Sequence, residues 1–139
     1  ISALARRLGV ADRVFMPGML PVEAMPALYG NAVAVCLPSL HEGFSLPIVE
    51  AMACGAPLLL SDIPVHREIA GPAAAFFDPY DPEDLAKQLD WLVSRPDQRS
   101  VISSLGRARA QRYSWRRAGR ETWLAYRWAV MEREPDASA

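Results

Sequence analysis

The fold is decided by residues 32–61, which read AVAVCLPSLHEGFSLPIVEAMACGAPLLLS. Ala32 to Pro38 is a continuous apolar run, which predicts a strand buried on both faces of a parallel sheet. A turn-rich loop, Ser39 to Ser45, leads into a helix with Pro47 in its first turn, where the N–H that proline lacks would have no helical partner. Pro57 to Ser61 predicts a second buried strand. The stretch therefore predicts a strand–helix–strand unit, from which parallel α/β sheets are built.

The segments on either side continue the alternation of strands and helices. Two more strands are predicted, at Arg13 to Met16 and at Ala73 to Phe77. Glycine, proline and apolar spacing delimit the other helices. They are predicted over Ile1–Leu8 (ending at Gly9), Pro26–Gly30, Val65–Ile69, Pro96–Arg112 and Trp115–Met131. One more helix is indicated by the amphipathic face of Leu85, Leu89, Leu92 and Val93. The helix that begins at Pro47 ends at Gly55. Together these elements predict one α/β domain with a parallel sheet flanked by helices.

Length and composition agree with one soluble domain. The chain has 139 residues, of which 51% are apolar and 22% charged, and no apolar run approaches the roughly 18 residues that a membrane span needs. No signal peptide is recognisable in ISALARRLGV, and the sequence opens without Met inside a predicted helix. We therefore expect residues 1–139 to be a single-domain fragment of a longer cytoplasmic protein.

The cysteines and histidines do not form a recognisable metal site. Cys36 and Cys54 lie in apolar surroundings, which predicts buried, reduced thiols. Two cysteines and two histidines at these spacings do not supply a ligand set, so no metal is expected. His41 and His66 are predicted to be surface or polar-loop residues rather than catalysts.

Charge is unevenly distributed along the chain, although the net charge is only −1. Residues 1–94 carry 5 basic and 11 acidic side chains, and residues 95–139 carry 10 and 5. The basic segment could meet an anionic surface such as lipid or nucleic acid. A solvated helix face, or a face docked on a missing domain, is the preferred interpretation of these side chains, which include Arg107, Arg109, Arg112, Arg116, Arg117 and Arg120.

Aromatic residues share one side of the last predicted helix. Trp123, Tyr126 and Val130 recur at helical spacing, which favours packing over a cofactor site. The tail EPDASA after this helix is predicted to be disordered.

The loop before Pro47 has the composition of an anion site flanked by carboxylates. Open parallel sheets bind ligands at the carboxyl ends of their strands, and a helix N-terminus there attracts phosphate. Gly43 allows close backbone approach. Glu42 on the loop and Glu50 one turn into the helix border this position, and carboxylates accept hydrogen bonds from sugar hydroxyls. The arrangement suits a ligand with phosphate in the middle and hydroxyls at both ends, as in a sugar nucleotide.

These residues resemble the signature of the group 1 glycosyltransferases, the retaining glycosyltransferase family 4. Glu42-Gly43-Phe44 through Leu46-Pro47 to Glu50-Ala51-Met52-Ala53, then Gly55 and Pro57, is similar to the pattern EGFGLP…EAMA.G.P, with seven residues between its paired glutamates. The likeness extends over nearly the whole chain, through the segments RVFMPGML, ALYGNAVAVCLPS, HREIAGPAAAFFDPYDPEDLA and RYSW. The resemblance implies a Rossmann-like domain, the C-terminal, donor-binding half of a GT-B fold.

The resemblance also implies roles for individual residues. Glu42 and Glu50 would be the catalytic pair, with Glu42 on the transferred sugar and Glu50 on the ribose. Gly43, Phe44, Ser45 and Leu46 would bind the donor sugar and the diphosphate, and Gly18, Met19 and Leu20 would lie near the nucleobase. Ser45 stands where the family most often has glycine, and Glu68 matches a frequent family glutamate that could equally be a salt-bridge partner or cap.

The implied activity is transfer of a hexose from a nucleoside diphosphate sugar with retention, without cofactor or metal. The family's upstream Arg and Lys, which neutralise the diphosphate, and its acceptor domain would lie outside this chain. The fragment alone is therefore expected to bind donor weakly and to transfer nothing. Expected partners are the nucleotide-sugar donor and a glycan or lipid-linked acceptor, with peripheral membrane contact as an option and no nucleic acid.

Two other classes of protein stay open from the sequence. In a glycoside hydrolase, Glu42 and Glu50 would be acid and nucleophile or base, although a helix N-terminus favours the charged form of Glu50 and so opposes the acid role. In a non-catalytic nucleotide-binding α/β module, both glutamates would simply be solvated.

Overall fold

The computed structural model describes residues 1–131, over which helices alternate with short strands. The helices are α1 (Ser2–Arg7), α2 (Met25–Gly30), α3 (Leu46–Cys54), α4 (Pro64–Ala70), α5 (Pro82–Ser94), α6 (Pro96–Ala110) and α7 (Trp115–Met131). The strands are β1 (Val35–Leu37), β2 (Leu58–Ser61) and β3 (Ala75–Phe77). Two 3₁₀ turns, Ala11–Arg13 and Val22–Ala24, lie between α1 and α2.

The three strands form one parallel sheet in the order β1-β2-β3. Val35 is paired with Leu58 and Leu59 with Ala75, so β2 is the central strand. All four residues of β2 are buried, which agrees with an apolar run between two covering layers. The predicted α/β fold with a parallel sheet flanked by helices is confirmed.

Successive residues of β2 pack into two different apolar clusters. Leu58 and Leu60 belong to a cluster that includes Met52 of α3. Leu59 packs with a second cluster, which contains Leu92 of α5 as well as residues of β3 and α6. Because neighbouring side chains of a strand point to opposite faces, both faces of the sheet are covered by helices.

The prediction that Ala32 to Pro38 is buried on both faces is wrong. Only Val35–Leu37 is a strand, and its side chains are half-buried or exposed. Within residues 1–131 β1 pairs on one side only, with β2, and an edge strand has less cover than a central one. Cys36 is consequently exposed rather than buried, while Cys54 is half-buried, and both thiols are free.

The predicted strand at Arg13 to Met16 does not form within the described residues. Arg13 ends a 3₁₀ turn, and Val14 has extended backbone angles of φ −102° and ψ 106° without a ladder partner. Phe15 is 87% exposed. Extended backbone becomes a strand only when another strand accepts its hydrogen bonds, and the described residues place none beside this segment.

Gly55 ends α3, as the sequence predicts. Its φ of 72° lies in the left-handed region, and its N–H donates to the carbonyl oxygen of Met52. The guanidinium of Arg107 on α6 lies directly over Gly55, where a Cβ atom would fall 1.5 Å from Nη1. The left-handed turn therefore favours glycine, whereas a Cβ atom here would require only the flexible end of the Arg107 side chain to move.

Two arginines of the basic C-terminal segment contact the ends of other helices. Arg107 Nη1 donates to the carbonyl oxygen of Cys54 at 3.4 Å, at the end of α3. Arg109 donates from Nε to the carbonyl oxygen of Ile69 and from Nη2 to that of Glu68, both at 2.5 Å. These carbonyls lie at the C-terminus of α4, where a cation is stabilised by the helix dipole. Arg109 is half-buried by these contacts and so departs from the predicted solvated face, whereas Arg107 is exposed.

Replacing Arg109 should destabilise the intact protein. Arg109→Met keeps the aliphatic stem and removes both donors, so we expect the free energy of unfolding to fall by about 2 kcal/mol, as for hydrogen bonds that involve a charged group. Urea denaturation measures this change. The matched control is Arg120→Met on the exposed surface of α7. Equal losses in the two variants would contradict the capping role.

α7 packs less than its sequence predicts. None of its residues is buried, and the predicted packing of Trp123, Tyr126 and Val130 is not found, because these side chains are 58%, 71% and 67% exposed. Among residues 1–131, no helix has the length and apolar character required to cross a membrane. The predicted disordered tail, EPDASA, lies outside the described residues.

Candidate functional site

The loop of residues 39–45 connects the carboxyl end of β1 to α3. Ser61, fully buried at the carboxyl end of β2, donates its hydroxyl hydrogen to the carbonyl oxygen of Ser39 at 2.5 Å. This contact fixes the loop at the sheet edge where open parallel sheets bind ligands. No side chain caps the N-terminus of α3, and its first turn holds Pro47 but no acidic residue. The positive end of this helix is therefore not neutralised by a carboxylate of its first turn.

Ser45 adopts the backbone conformation that glycine prefers. Its φ of 73° and ψ of 72° are left-handed, and it is the one non-glycine residue with positive φ among residues 1–131. Ser45 thus enters α3 through a left-handed turn, although a Cβ atom destabilises this conformation by roughly 1 kcal/mol.

Ser45→Gly should stabilise the intact protein by about 1 kcal/mol, because glycine enters the left-handed region without the Cβ clash. Ser45→Val should destabilise it, since a β-branched residue fits this region worst. Thermal unfolding of both variants beside wild type measures the difference. Unfolding midpoints that rise from Ser45→Val to wild type to Ser45→Gly would support the strained turn. A midpoint for Ser45→Gly below that of wild type would contradict it.

Glu42 is held by the loop that carries it. Ser39 Oγ donates to Glu42 Oε1 at 2.8 Å, and the glutamate is half-buried. Only one of its carboxylate oxygens is engaged in this contact, so the other oxygen retains its capacity to accept hydrogen bonds.

Glu50 is held from a different element. The hydroxyl of Tyr29, a buried residue of α2, donates to Glu50 Oε2 at 3.2 Å. Burial, and after it the neighbouring Glu50 carboxylate, raises the pKa of Tyr29 above its usual value, which keeps the phenol protonated and able to donate. The glutamate itself is exposed on α3. Sequence reasoning missed this partner because 21 positions separate the two residues.

Phe44 and Leu46 border a groove between the loop and the start of α7. The groove has a volume of about 510 Å³ and is also lined by Tyr113 and Trp115. The ring of Phe44 meets that of Tyr113 edge to face, with centroids 5.8 Å apart, a favourable geometry for aromatic pairs. The sequence stretch RYSW, which contains Tyr113, therefore contributes a wall beside the predicted donor loop.

The predicted nucleobase turn lies in a separate segment. Gly18 has φ 74°, Met19 is fully exposed, and Leu20 lines a second, shallow cavity against α2. Within residues 1–131 no hydrogen bond joins this turn to Glu42 or Glu50, and no group of three or more metal-ligating side chains is found in the described chain.

The prediction of a surface position for His66 is wrong. Its side chain is fully buried beneath the site loop, beside Ser61, whereas His41 is exposed as predicted. The apolar spacing of PVHREIA placed Ile69 and Ala70 inward, and His66 lies on the same face of α4. Helical spacing could therefore have indicated its burial, whereas its polar character pointed to the surface.

Comparison with solved structures finds the same architecture in a sucrose-phosphate synthase from Thermosynechococcus elongatus. The two superpose with a TM-score of 0.87 at 26% sequence identity, over 94% of this chain and 33% of that one.

Among curated proteins, the chain is similar to two bacterial mannosyltransferases. It is 36% identical over 131 residues to the MMP alpha-(1->4)-mannosyltransferase of Mycolicibacterium hassiacum, which covers 91% of this chain and 32% of the relative. It is 34% identical over 110 residues to the O-antigen chain mannosyltransferase B of Escherichia coli, with coverages of 79% and 29%. The chain thus spans about a third of the length of these relatives.

The sequence model of the glycosyl transferases group 1 family matches residues 1–109, which include the whole sheet, the loop of residues 39–45 and both motif glutamates. With this match over most of its length, the chain belongs to the group 1 glycosyl transferases.

Proposed function

We propose that this chain binds a nucleoside diphosphate sugar and forms the donor half of a retaining, family 4 glycosyltransferase with a GT-B fold. The observation that carries the proposal is the placement of the two motif glutamates around the N-terminus of α3. Glu42 lies on the loop that enters this helix, Glu50 lies one turn into it, and no side chain caps the helix. The similarity to a sucrose-phosphate synthase structure supports the GT-B assignment.

The proposed chemistry consists of positioning and electrostatic stabilisation. The diphosphate would lie at the N-terminus of α3, near Leu46, where the helix dipole stabilises the negative charge that grows as the glycosidic bond breaks. Glu42, with Gly43, Phe44 and Ser45, would hold hydroxyls of the transferred sugar. Glu50 would hold the ribose hydroxyls, and its carboxylate is oriented for this by Tyr29. The turn of Gly18, Met19 and Leu20 would adjoin the base.

The acceptor is proposed to bind outside residues 1–139, because the relatives are about three times longer than the matched segment. The upstream Arg and Lys, which would complete diphosphate binding, are also assigned to the part of the protein outside residues 1–139. This division makes residues 1–139 alone incapable of transfer. We propose a cytoplasmic protein, with a glycan or lipid-linked acceptor and peripheral membrane contact where the acceptor is lipid-linked.

The names of the relatives guide the choice of sugar. Two of them are mannosyltransferases, so a mannosyl donor is the first to test. Guanosine diphosphate mannose and uridine diphosphate glucose are therefore the two donors to compare, and no metal or cofactor is proposed.

The proposal is tested by calorimetric titration of the intact protein with these two nucleotide sugars and with the free diphosphates. We expect saturable binding of at least one donor, and transfer to an acceptor with the donor's anomeric configuration retained, as read by NMR. Absence of binding by all four compounds would contradict the proposal and favour a non-catalytic module. Release of free sugar from a glycoside without nucleotide would favour a hydrolase.

A further inference from the structure

A series of hydrogen bonds, fully buried at its start, leads from α4 to the motif glutamate on the loop. Its members are His66, Ser61, Ser39 and Glu42. His66 and Ser61 are fully buried, and neither has a role in the donor contacts proposed above. Buried polar groups destabilise a fold unless they are satisfied, so a buried histidine and serine beneath a functional loop require an explanation.

The partners of His66 determine its tautomer. Nδ1 lies 3.0 Å from the carbonyl oxygen of Ser61 and 3.1 Å from Ser61 Oγ. A carbonyl oxygen can only accept, so Nδ1 carries the hydrogen and donates. Nε2 is buried and has no partner in the described part of the chain. Nε2 is therefore the unprotonated nitrogen, because a second N–H would be left without an acceptor.

This tautomer leaves the hydroxyl hydrogen of Ser61 available for the loop. Ser61 Oγ donates to the carbonyl oxygen of Ser39 at 2.5 Å, with the carbonyl oxygen of Leu37 at 3.3 Å. The side chain of the same Ser39 then donates to Glu42 at 2.8 Å. Each link has one direction, from the imidazole of His66 to the carboxylate of Glu42.

We propose that His66 and Ser61 are positioning residues that hold the Glu42 carboxylate in place through Ser39. The proposal rests on the function proposed above, because Glu42 is taken to bind the transferred sugar. The first link holds Ser61, the second joins Ser61 to the backbone carbonyl of Ser39, and the last acts on the carboxylate. Removing any link should therefore weaken recognition of the sugar more than recognition of the nucleoside diphosphate.

The tautomer can be tested without any assay of function. In a long-range ¹H–¹⁵N NMR spectrum of the intact protein, His66 should show a protonated Nδ1 and an unprotonated Nε2. A protonated Nε2 with a bare Nδ1 would overturn the proposal, because Nδ1 could then not donate to the Ser61 carbonyl.

The binding test compares a nucleotide sugar with its free diphosphate by calorimetry on the intact protein. Ser39→Ala and Ser61→Ala should each weaken binding of the sugar nucleotide about tenfold, the loss expected for a hydrogen bond to or near a charged group, with the diphosphate affinity unchanged. The matched control is Ser104→Ala on the exposed surface of α6. Equal weakening of both ligands, or of neither, would overturn the proposal.

Two substitutions of His66 separate positioning from packing. His66→Asn places an amide N–H near the position of Nδ1 and should retain most of the sugar preference, whereas His66→Leu fills similar space without a donor and should lose it. Equal loss in both variants would overturn the proposal. If wild-type protein binds no nucleotide sugar, the proposed function fails. The NMR tautomer still tests whether His66 Nδ1 donates to the Ser61 carbonyl.

Discussion

Glu50→Ala is expected to lower kcat/KM of the intact transferase by about 100-fold or more. A carboxylate that accepts two ribose hydroxyls contributes roughly 1.5 to 3 kcal/mol for each hydrogen bond, and about 1.4 kcal/mol corresponds to a factor of ten. The nucleoside diphosphate should bind correspondingly less well. Steady-state kinetics and calorimetry with the free diphosphate measure both effects.

Two further variants distinguish the charge of Glu50 from its orientation. Glu50→Gln keeps an acceptor for the Tyr29 hydroxyl and should retain more activity than Glu50→Ala. Tyr29→Phe keeps the carboxylate but removes its partner at 3.2 Å, so we expect a smaller loss, of about tenfold, mainly in KM. Activity of Glu50→Ala within a factor of about two of wild type would contradict the assignment of this residue to the donor.

Glu42→Ala is expected to reduce kcat/KM by a similar factor but with a different pattern. Because Glu42 is proposed to contact the transferred sugar, its loss should lower kcat, on the order of 100-fold, through interactions that strengthen in the transition state. Binding of the diphosphate without sugar should be retained. Glu50→Ala should differ in this respect, because it should also weaken binding of the free diphosphate.

The control for both glutamates is Asp90→Ala, which removes one exposed negative charge from α5. It should leave kinetics and nucleotide affinity at wild-type values, since surface charges away from a site contribute little. Wild-type rates for Glu42→Ala, or a loss of diphosphate affinity equal to that of Glu50→Ala, would contradict the separate role of Glu42.

The strand–helix–strand unit of residues 32–61 could be predicted because its signals are local. Pro47 lies in the first turn of α3 and Gly55 ends it with a left-handed turn, as the sequence indicates. The loop that carries Glu42 is placed at the sheet edge by the same unit. Proline and glycine restrict or relax their own backbone angles, so their effect does not depend on distant residues.

The errors arise where long-range contacts decide the outcome. The apolar run at Ala32 to Pro38 predicted a fully covered strand, but β1 has a neighbour on one side only in the described chain. The segment of Arg13 to Met16 has strand-like residues, but within residues 1–131 no strand lies beside it. Helical spacing around His66 is compatible with its burial, but the sequence does not show its hydrogen bond to Ser61, because side-chain partners are set by packing.

The contacts that Arg109 makes with the C-terminal carbonyls of α4 bear on where this domain can be cut. The family match stops at residue 109, yet Tyr113 also donates to the Ile69 carbonyl, at 3.3 Å, and supports the ring of Phe44. A protein excised at the family boundary would keep the signature glutamates and lose the aromatic support of their loop. Expression trials and grafts of this domain should therefore extend past Tyr113, because the match to the family model ends before the contacts that complete the physical unit.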